Sequence, residues 1–250
     1  NIFSMDYRPG NFRHLPEVVK NLLIINGLFF LATITLDGMG FDMYRFFGLH
    51  QFQSIEFMPH QLITHLFMHG NFTHLFFNMF ALWMFGKVLE NVWGGKKFLV
   101  YYMITGLGAA AIHLGVSQYE IMSLQAQISS IDLNTILNEG GDILAGGQNY
   151  TNPIMGKLNL LIHTPTVGAS GAVFGVLLAF GMLFPNALLY IYFAIPIKAK
   201  YFIILFGLLE LYAGISNNPA DNVAHFAHLG GMIFGFLLIK YWRKNSNTFY

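Results

Sequence analysis

Gly168-Ala169-Ser170-Gly171 places a serine among small residues, directly after the proline-broken segment Thr164-Pro165-Thr166 and at the head of an apolar run that ends near Phe184. Small neighbours leave the hydroxyl uncrowded, and glycines let other backbones approach closely. A serine nucleophile needs a base, and Ala227-His228-Leu229-Gly230-Gly231-Met232-Ile233-Phe234-Gly235 offers His228. His74 and Asn78, at i and i+4, put two donors on one helix face, as stabilisation of a developing oxyanion requires. Each residue also has a plainer reading. Ser and Gly in membrane helices commonly serve packing, and an intramembrane His or Asn commonly bonds a neighbouring helix.

Composition says what kind of chain carries these groups. Of 250 residues, 55% are hydrophobic and only 10% charged, against about a quarter charged in soluble domains. A formal net charge of +1 gives no basis for nucleic-acid binding. The absence of cysteine excludes disulfides, zinc–thiolate sites and a cysteine nucleophile. The first residue is not Met, and no basic–apolar–A-x-A signal segment opens the chain. We read residues 1–250 as a single membrane-embedded domain.

A bilayer crossing takes about 20 apolar residues. Six runs are expected to span, at residues 18–36, 72–92, 98–116, 167–184, 199–215 and 222–242. Between the first two lies a mixed aromatic and polar loop, read as carrying interfacial helices. A polar outer insert covers 117–164. Within it Ile121, Leu124, Ile128 and Ile131 recur at helical spacing and suggest a surface amphipathic helix before a Gly-rich loop. Six spans put both termini on one side. Of the 13 Lys and Arg, only Arg45 and Lys157 fall on the opposite side, while Arg8, Arg13, Lys96, Lys97 and the rest share the side of the termini. By the positive-inside rule that side is cytoplasmic. The expected location is therefore a cell inner membrane, multi-pass, with the lipid bilayer as the chain's constant partner.

Depth brings the polar groups together. At 1.5 Å per residue, Ser170 lies roughly 22 Å above the inner boundary, His74 roughly 20 Å and His228 roughly 18 Å. His228, Gly231 and Gly235 form one stripe at i, i+3 and i+7, along which the fourth span can pack. Phe174, one turn below Ser170, is placed to buttress the imidazole. Glu210, near the outer end of the fifth span, is read as interfacial and given no role. His50, His60, His65 and His69 are assigned to loop packing.

With these residues in place, the chain resembles the bacterial, six-span rhomboid intramembrane serine proteases. The resemblance rests on His74-Leu75-Phe76-Phe77-Asn78 (the family's HxxxN), on Gly168-Ala169-Ser170-Gly171 (its GxSG), and on Ala227-His228 with Gly231 and Gly235. It implies an all-α, six-helix polytopic bundle. It also implies Ser170 as nucleophile, His228 as general base, and an oxyanion site of His74, Asn78 and the Ser170 N–H, with Gly168 beside it. The family's Ser–His dyad has no acid, which suits the lack of an obvious carboxylate partner. No cofactor or metal is implied, and the substrates would be transmembrane proteins. The chain departs from some members in two places. Phe57-Met58-Pro59-His60-Gln61 stands where they carry Trp-Arg, so the first loop needs other anchors, and Phe174 stands where they carry Tyr.

The alternatives are a catalytically silent relative that binds transmembrane clients and, further off, a small-solute transporter. A transporter should show internal repeats and matched broken helices, and none is evident. A metal site drawn from His65, His69, His225 and His228 is a further possibility. The lack of HExxH argues against a zinc metalloprotease, and the lack of an intramembrane aspartate pair against an aspartyl one. For the protease, His228 must be neutral to accept the serine proton. A fourth helix starting below the surface would leave an aqueous cavity above Ser170, open to the outer face.

Overall fold

The computed structural model describes residues 15–191, 194–216 and 223–245. The first apolar run forms α1 (Glu17–Asp37), entered through Pro16. Its leading N–H groups have no acceptor within the helix, and a buried side chain from elsewhere supplies one. Glu90 accepts from the Val18 N–H at 2.9 Å and the Val19 N–H at 2.7 Å.

The first loop holds α2 (Met43–Phe47), α3 (Gln61–Thr64) and a 3-10 turn at His65–Phe67. Its anchor is Gln61, a fully buried amide. Gln61 donates to Arg45 O at 3.1 Å and Glu56 O at 2.8 Å, and accepts from the Met58 N–H at 3.1 Å. Arg45 and Glu56 also pair, at 2.8 Å. These contacts anchor the loop.

The second apolar run starts at an Asn71 N-cap as α4 (Phe72–Ala81), passes through a π-helical turn at Leu82–Gly86, and continues as α5 (Lys87–Trp93). At the π turn Gly86 lies against Phe98 and Val19, where a Cβ would come within 3.2 Å of either side chain.

The third apolar run forms α6 (Gly95–Gln125), which has 31 residues and runs well past position 116. At 1.5 Å per residue it is about 46 Å long, more than a hydrocarbon core of about 30 Å needs. The amphipathic helix read from Ile121, Leu124, Ile128 and Ile131 is therefore not a separate element. Ile121 and Leu124 lie on the extension of α6, Ile128 lies in the following turn, and Ile131 is exposed. Two helices follow, α7 (Ser130–Ala145) and α8 (Pro153–His163), capped by Ser129 and Asn152. They bury Ile136, Leu158 and Ile162 against Ile121 in a small core of their own. The polar insert is thus a helical pair seated on α6.

The fourth apolar run forms α9 (Ser170–Leu183), which is short, and nearly all its side chains are buried. After it, β1 (Leu188–Ile191) and β2 (Ile195–Lys198) form an antiparallel hairpin with Leu188 opposite Lys198. The sequence reading has no strand there, because a four-residue apolar run beside a longer one carries no distinct period. Then come α10 (Ala199–Ser216) and α11 (His225–Asn245).

The core is α6, α9 and α11, each packed on the other two. Small residues permit the contact. Gly231 of α11 lies on the backbone of Gly171, Gly235 lies on the Tyr101 hydroxyl, and Gly108 of α6 lies under the Phe234 ring. The Tyr101 hydroxyl donates to Gly175 O at 2.8 Å and ties α6 to α9.

Among the described residues, four stretches are long and apolar enough to cross a bilayer: Glu17–Asp37, Phe72–Trp93, Gly95–Gln125 and Ala199–Ser216. Their outward faces carry large exposed apolar side chains such as Leu28, Leu31, Phe77, Ile204 and Leu208. A surface of that kind is stable against lipid. The chain is an all-α polytopic membrane protein. Arg8, Arg13 and Asn222, which enter the topology expected from the sequence, lie outside the described residues.

Candidate active site

Ser170 is the first residue of α9. The chain reaches it through an extended segment in which Leu49 and Thr166 exchange backbone hydrogen bonds of 2.9 and 2.8 Å. Gly168 then takes φ of 130°, a conformation that side chains disfavour, and its N–H donates to His65 O at 2.9 Å. A Cβ at this position would also lie 2.8 Å from the His74 ring and 3.6 Å from Ser170 Oγ. Glycine is required at 168 both by the backbone and by the closeness of that imidazole. Starting the helix at Ser170 places its hydroxyl at the helix mouth rather than within a packed turn.

His228 sits in the first turn of α11, 8% exposed. Its Nε2 lies 2.9 Å from Ser170 Oγ, hydrogen-bonding distance. The Phe174 ring stacks on the imidazole, with centroids 4.1 Å apart and planes 5° from parallel. The close crossing of α9 and α11 at Gly171 and Gly231 brings the two side chains together. Gly235 turns instead to α6 and Tyr101, so the glycine stripe serves two neighbours.

Glu210 is not an interfacial bystander. Its Oε2 accepts from Nδ1 of His228 at 2.8 Å and from Nδ1 of His225 at 2.7 Å, and its side chain is 13% exposed. An acidic partner to the histidine is present, contrary to the expectation from sequence. The signal was a spacing. Gly207, Glu210 and Gly214 lie at i, i+3 and i+7 on α10, the same stripe as His228, Gly231 and Gly235 on α11. Gly214 lies against Phe226 and His225, and Gly207 against Met232, which turns Glu210 toward α11 and away from lipid.

His74 and Asn78 both lie on α4, which packs on α9. The His74 ring stands over Gly168 and contacts the His69 ring at 5.0 Å. Asn78 is buried, and its Nδ2 donates to His74 O at 3.0 Å, one turn back on the same helix. An amide has two N–H donors, so this bond uses one of them. A further polar contact, His113 Nε2 to Thr166 Oγ1 at 2.8 Å, escaped sequence reading because His113 is a lone histidine within an apolar run. A cavity of about 20 Å³ lies beside Ser170, His113 and Thr166, large enough for one water.

The four histidines considered for a metal are not assembled. Among the described residues, the group that gathers donor atoms within 4.8 Å is Glu210, His225 and His228, without His65 or His69. His65 belongs to the first loop, its Nδ1 2.7 Å from Gln61 O. His69 is fully buried, with no hydrogen-bond partner for either ring nitrogen among the described residues.

These two loop histidines carry a pH prediction. Burial lowers both from the usual 6.5 to about 4, aided at His69 by the neighbouring His74. Between those values the unfolded chain binds protons that the native chain does not, so stability falls as pH drops. The melting temperature should decline steadily from about pH 6.5 to about pH 4. His69→Phe should make that decline shallower, since it removes one of the contributing groups. A melting temperature constant across the window would contradict the lowering of these two histidines.

Comparison with known proteins adds an independent line. The Rhomboid domain family model matches residues 56–245, which include every residue of the site. An uncharacterized mitochondrial rhomboid protein of Schizosaccharomyces pombe is 27% identical over 95% of this chain and 69% of its own length. Rhomboid protein 1, mitochondrial, of Saccharomyces cerevisiae is 26% identical over 73% of this chain and 42% of its own. Rhomboid protease AarA of Providencia stuartii is 29% identical over 69% of this chain and 52% of its own. The chain thus spans about half the length of the latter two. The family match runs over the helices that carry His74, Asn78, Ser170, Glu210 and His228, and with it the chain belongs to the rhomboid family.

Proposed function

We propose that this protein is an intramembrane serine endopeptidase that hydrolyses a peptide bond in or near the transmembrane segment of membrane-protein substrates. The observation that carries the reading is the 2.9 Å contact between Ser170 Oγ and His228 Nε2. A silent client-binding protein or a transporter has no need of that pair.

In the proposed reaction Ser170 Oγ attacks the scissile carbonyl carbon while its proton passes to Nε2 of His228. The carbonyl oxygen becomes an oxyanion, held by the Ser170 N–H and the side chains of His74 and Asn78. Collapse breaks the C–N bond, and the Nε2 proton moves to the departing amine. Water then attacks the acyl ester and gives its proton to Nε2. The second collapse releases the new carboxylate and restores the Ser170 hydroxyl. Phe174 keeps the imidazole plane fixed throughout, and Gly168 keeps the approach above Ser170 clear. A serine-directed fluorophosphonate tests the assignment. It should label the wild-type protein and not Ser170→Ala, and labelling of both alike would sink it.

The membrane arrangement belongs to the same proposal. Six helices cross, both termini lie on the cytoplasmic side of a cell inner membrane, and the first loop and the α7–α8 pair face outward, where substrate and water enter. Cysteines placed at 45 and 130 should react with impermeant reagents from outside, and cysteines at 96 or 198 should not. The reverse pattern would overturn this orientation.

An oxyanion role for Asn78 separates cleanly from helix packing. If Asn78 donates to the oxyanion, Asn78→Ala should lower kcat about 10²-fold with little change in KM. If it only joins helices, the loss is about 0.6 kcal/mol of stability and turnover stays near normal. Measuring kcat and melting temperature on one preparation decides. A destabilised variant with wild-type kcat would remove Asn78 from the site.

A further inference from the structure

We propose that Glu210 is a positioning residue of the catalytic site, holding His228 in the tautomer and orientation that leave Nε2 free to accept the Ser170 proton. The inference rests on the Ser170–His228 reading above and extends it from two residues to a relay across three helices.

The relay is continuous. Nδ1 of His225 and Nδ1 of His228 both face Glu210 Oε2, at 2.7 and 2.8 Å, and His228 Nε2 faces Ser170 Oγ at 2.9 Å. An ionised carboxylate can only accept hydrogen bonds. A neutral imidazole has one N–H, and the bond made by one nitrogen fixes the role of the other. With Oε2 opposite Nδ1, the His228 proton is held on Nδ1 and the Nε2 lone pair is directed at the hydroxyl. When Nε2 takes up the serine proton, the carboxylate faces the imidazolium and stabilises it. Phe174 confines the ring plane from one face, but a stacked ring cannot choose between tautomers. That choice falls to Glu210.

The cost of placing a carboxylate here supports a specific use. A charged side chain within a membrane helix is unfavourable, and such groups commonly mark function. The rest of α10 is largely apolar and exposed, with Leu208, Leu209, Leu211 and Tyr212 all on the surface. Glu210 alone of this turn is drawn inward, between Gly207 and Gly214, onto two histidines of α11. His225 supplies a second donor to the same oxygen, which limits the positions Oε2 can take. The plainer account is interhelical glue between α10 and α11, and the two make different predictions.

Three measurements test the proposal, and the second separates it from the glue. In wild-type protein labelled with ¹⁵N-histidine, the neutral His228 ring should show a protonated Nδ1 and an unprotonated Nε2, its signals identified by their loss in His228→Gln. This readout needs neither catalysis nor a Glu210 variant that folds, and an Nε2–H tautomer would overturn the proposal. Next, Glu210→Gln should lower kcat on a single-span substrate about 10²-fold, with KM within about twofold, and slow fluorophosphonate labelling in parallel. Glu210→Asp, which keeps the charge on a shorter arm, should recover part of the loss. Wild-type kcat with a lowered melting temperature in Glu210→Gln would leave only the glue. Last, wild-type activity should withstand a chelator. Activity lost to chelation and restored by Zn²⁺ would make Glu210, His225 and His228 a metal site instead. If the wild-type protein fails to label at Ser170, the protease reading falls and the catalytic use of Glu210 with it, while the tautomer measurement still reports whether Glu210 fixes the His228 proton on Nδ1.

Discussion

Ser170→Ala and His228→Ala are each expected to reduce cleavage of a single-span substrate by about 10⁴-fold or more, with the fold retained. Removing one member of a nucleophile–base pair costs nearly as much as removing both, because neither works alone. Ser170→Ala deletes one oxygen at the head of α9 and leaves the apolar packing of that helix untouched. His228→Ala removes a stacked ring as well, so some stability should go with the activity. Double substitution should add little to either single one. The measurement is turnover in detergent or liposomes beside a melting curve for each variant. Substantial turnover in purified Ser170→Ala would remove the serine from the chemistry. A double variant far worse than both singles would show that the two residues do not act as a unit.

What could be read from the sequence follows from what each pattern depends on. Ser170, His228 and His74 stood out because polar groups are rare in apolar helices and helical rise puts them at about one depth, and Asn78 because it lies one turn from His74 on the same face. Gly231 was legible as a packing residue, and it lies on Gly171. Glu210 was not legible, because its role depends on the rotation of α10 about its own axis, which apolar content does not determine. The helix is nearly uniform in hydrophobicity, so only the Gly207–Glu210–Gly214 spacing marked the inward face. The α7–α8 pair was misread for a related reason. Ile121 and Leu124 have helical periodicity because they continue α6, and nothing local marks where a helix leaves the bilayer. The hairpin at 188–198 was hidden by its brevity and by the apolar residues it shares with the neighbouring spans.

Gly231→Ala is expected to lower turnover by about 10³-fold, although residue 231 itself does no chemistry. A Cβ there would fall within the carbonyl of Gly171, one residue beyond Ser170. The obstacle is backbone, so no side chain can turn aside, and α11 must move away from α9. A displacement of about 1 Å can cost about 10²-fold in a positioned reaction, and losing the general base altogether costs about 10²–10⁴-fold. Since Nε2 and Oγ are 2.9 Å apart, that movement takes them out of contact, and fluorophosphonate labelling should fall with turnover. Gly235→Ala provides the contrast. Its Cβ would meet the Tyr101 hydroxyl, a side-chain atom, so adding Tyr101→Phe should restore part of the lost stability, less the 2.8 Å bond to Gly175 O. No such partner exists for Gly231. Gly27→Ala and Gly115→Ala, where a Cβ has nothing within 4 Å, should leave turnover unchanged and raise helix stability by about 0.5–1 kcal/mol. Wild-type turnover in Gly231→Ala would mean that α9 and α11 do not approach this closely, and that the Ser170–His228 contact is not held by the glycine pair.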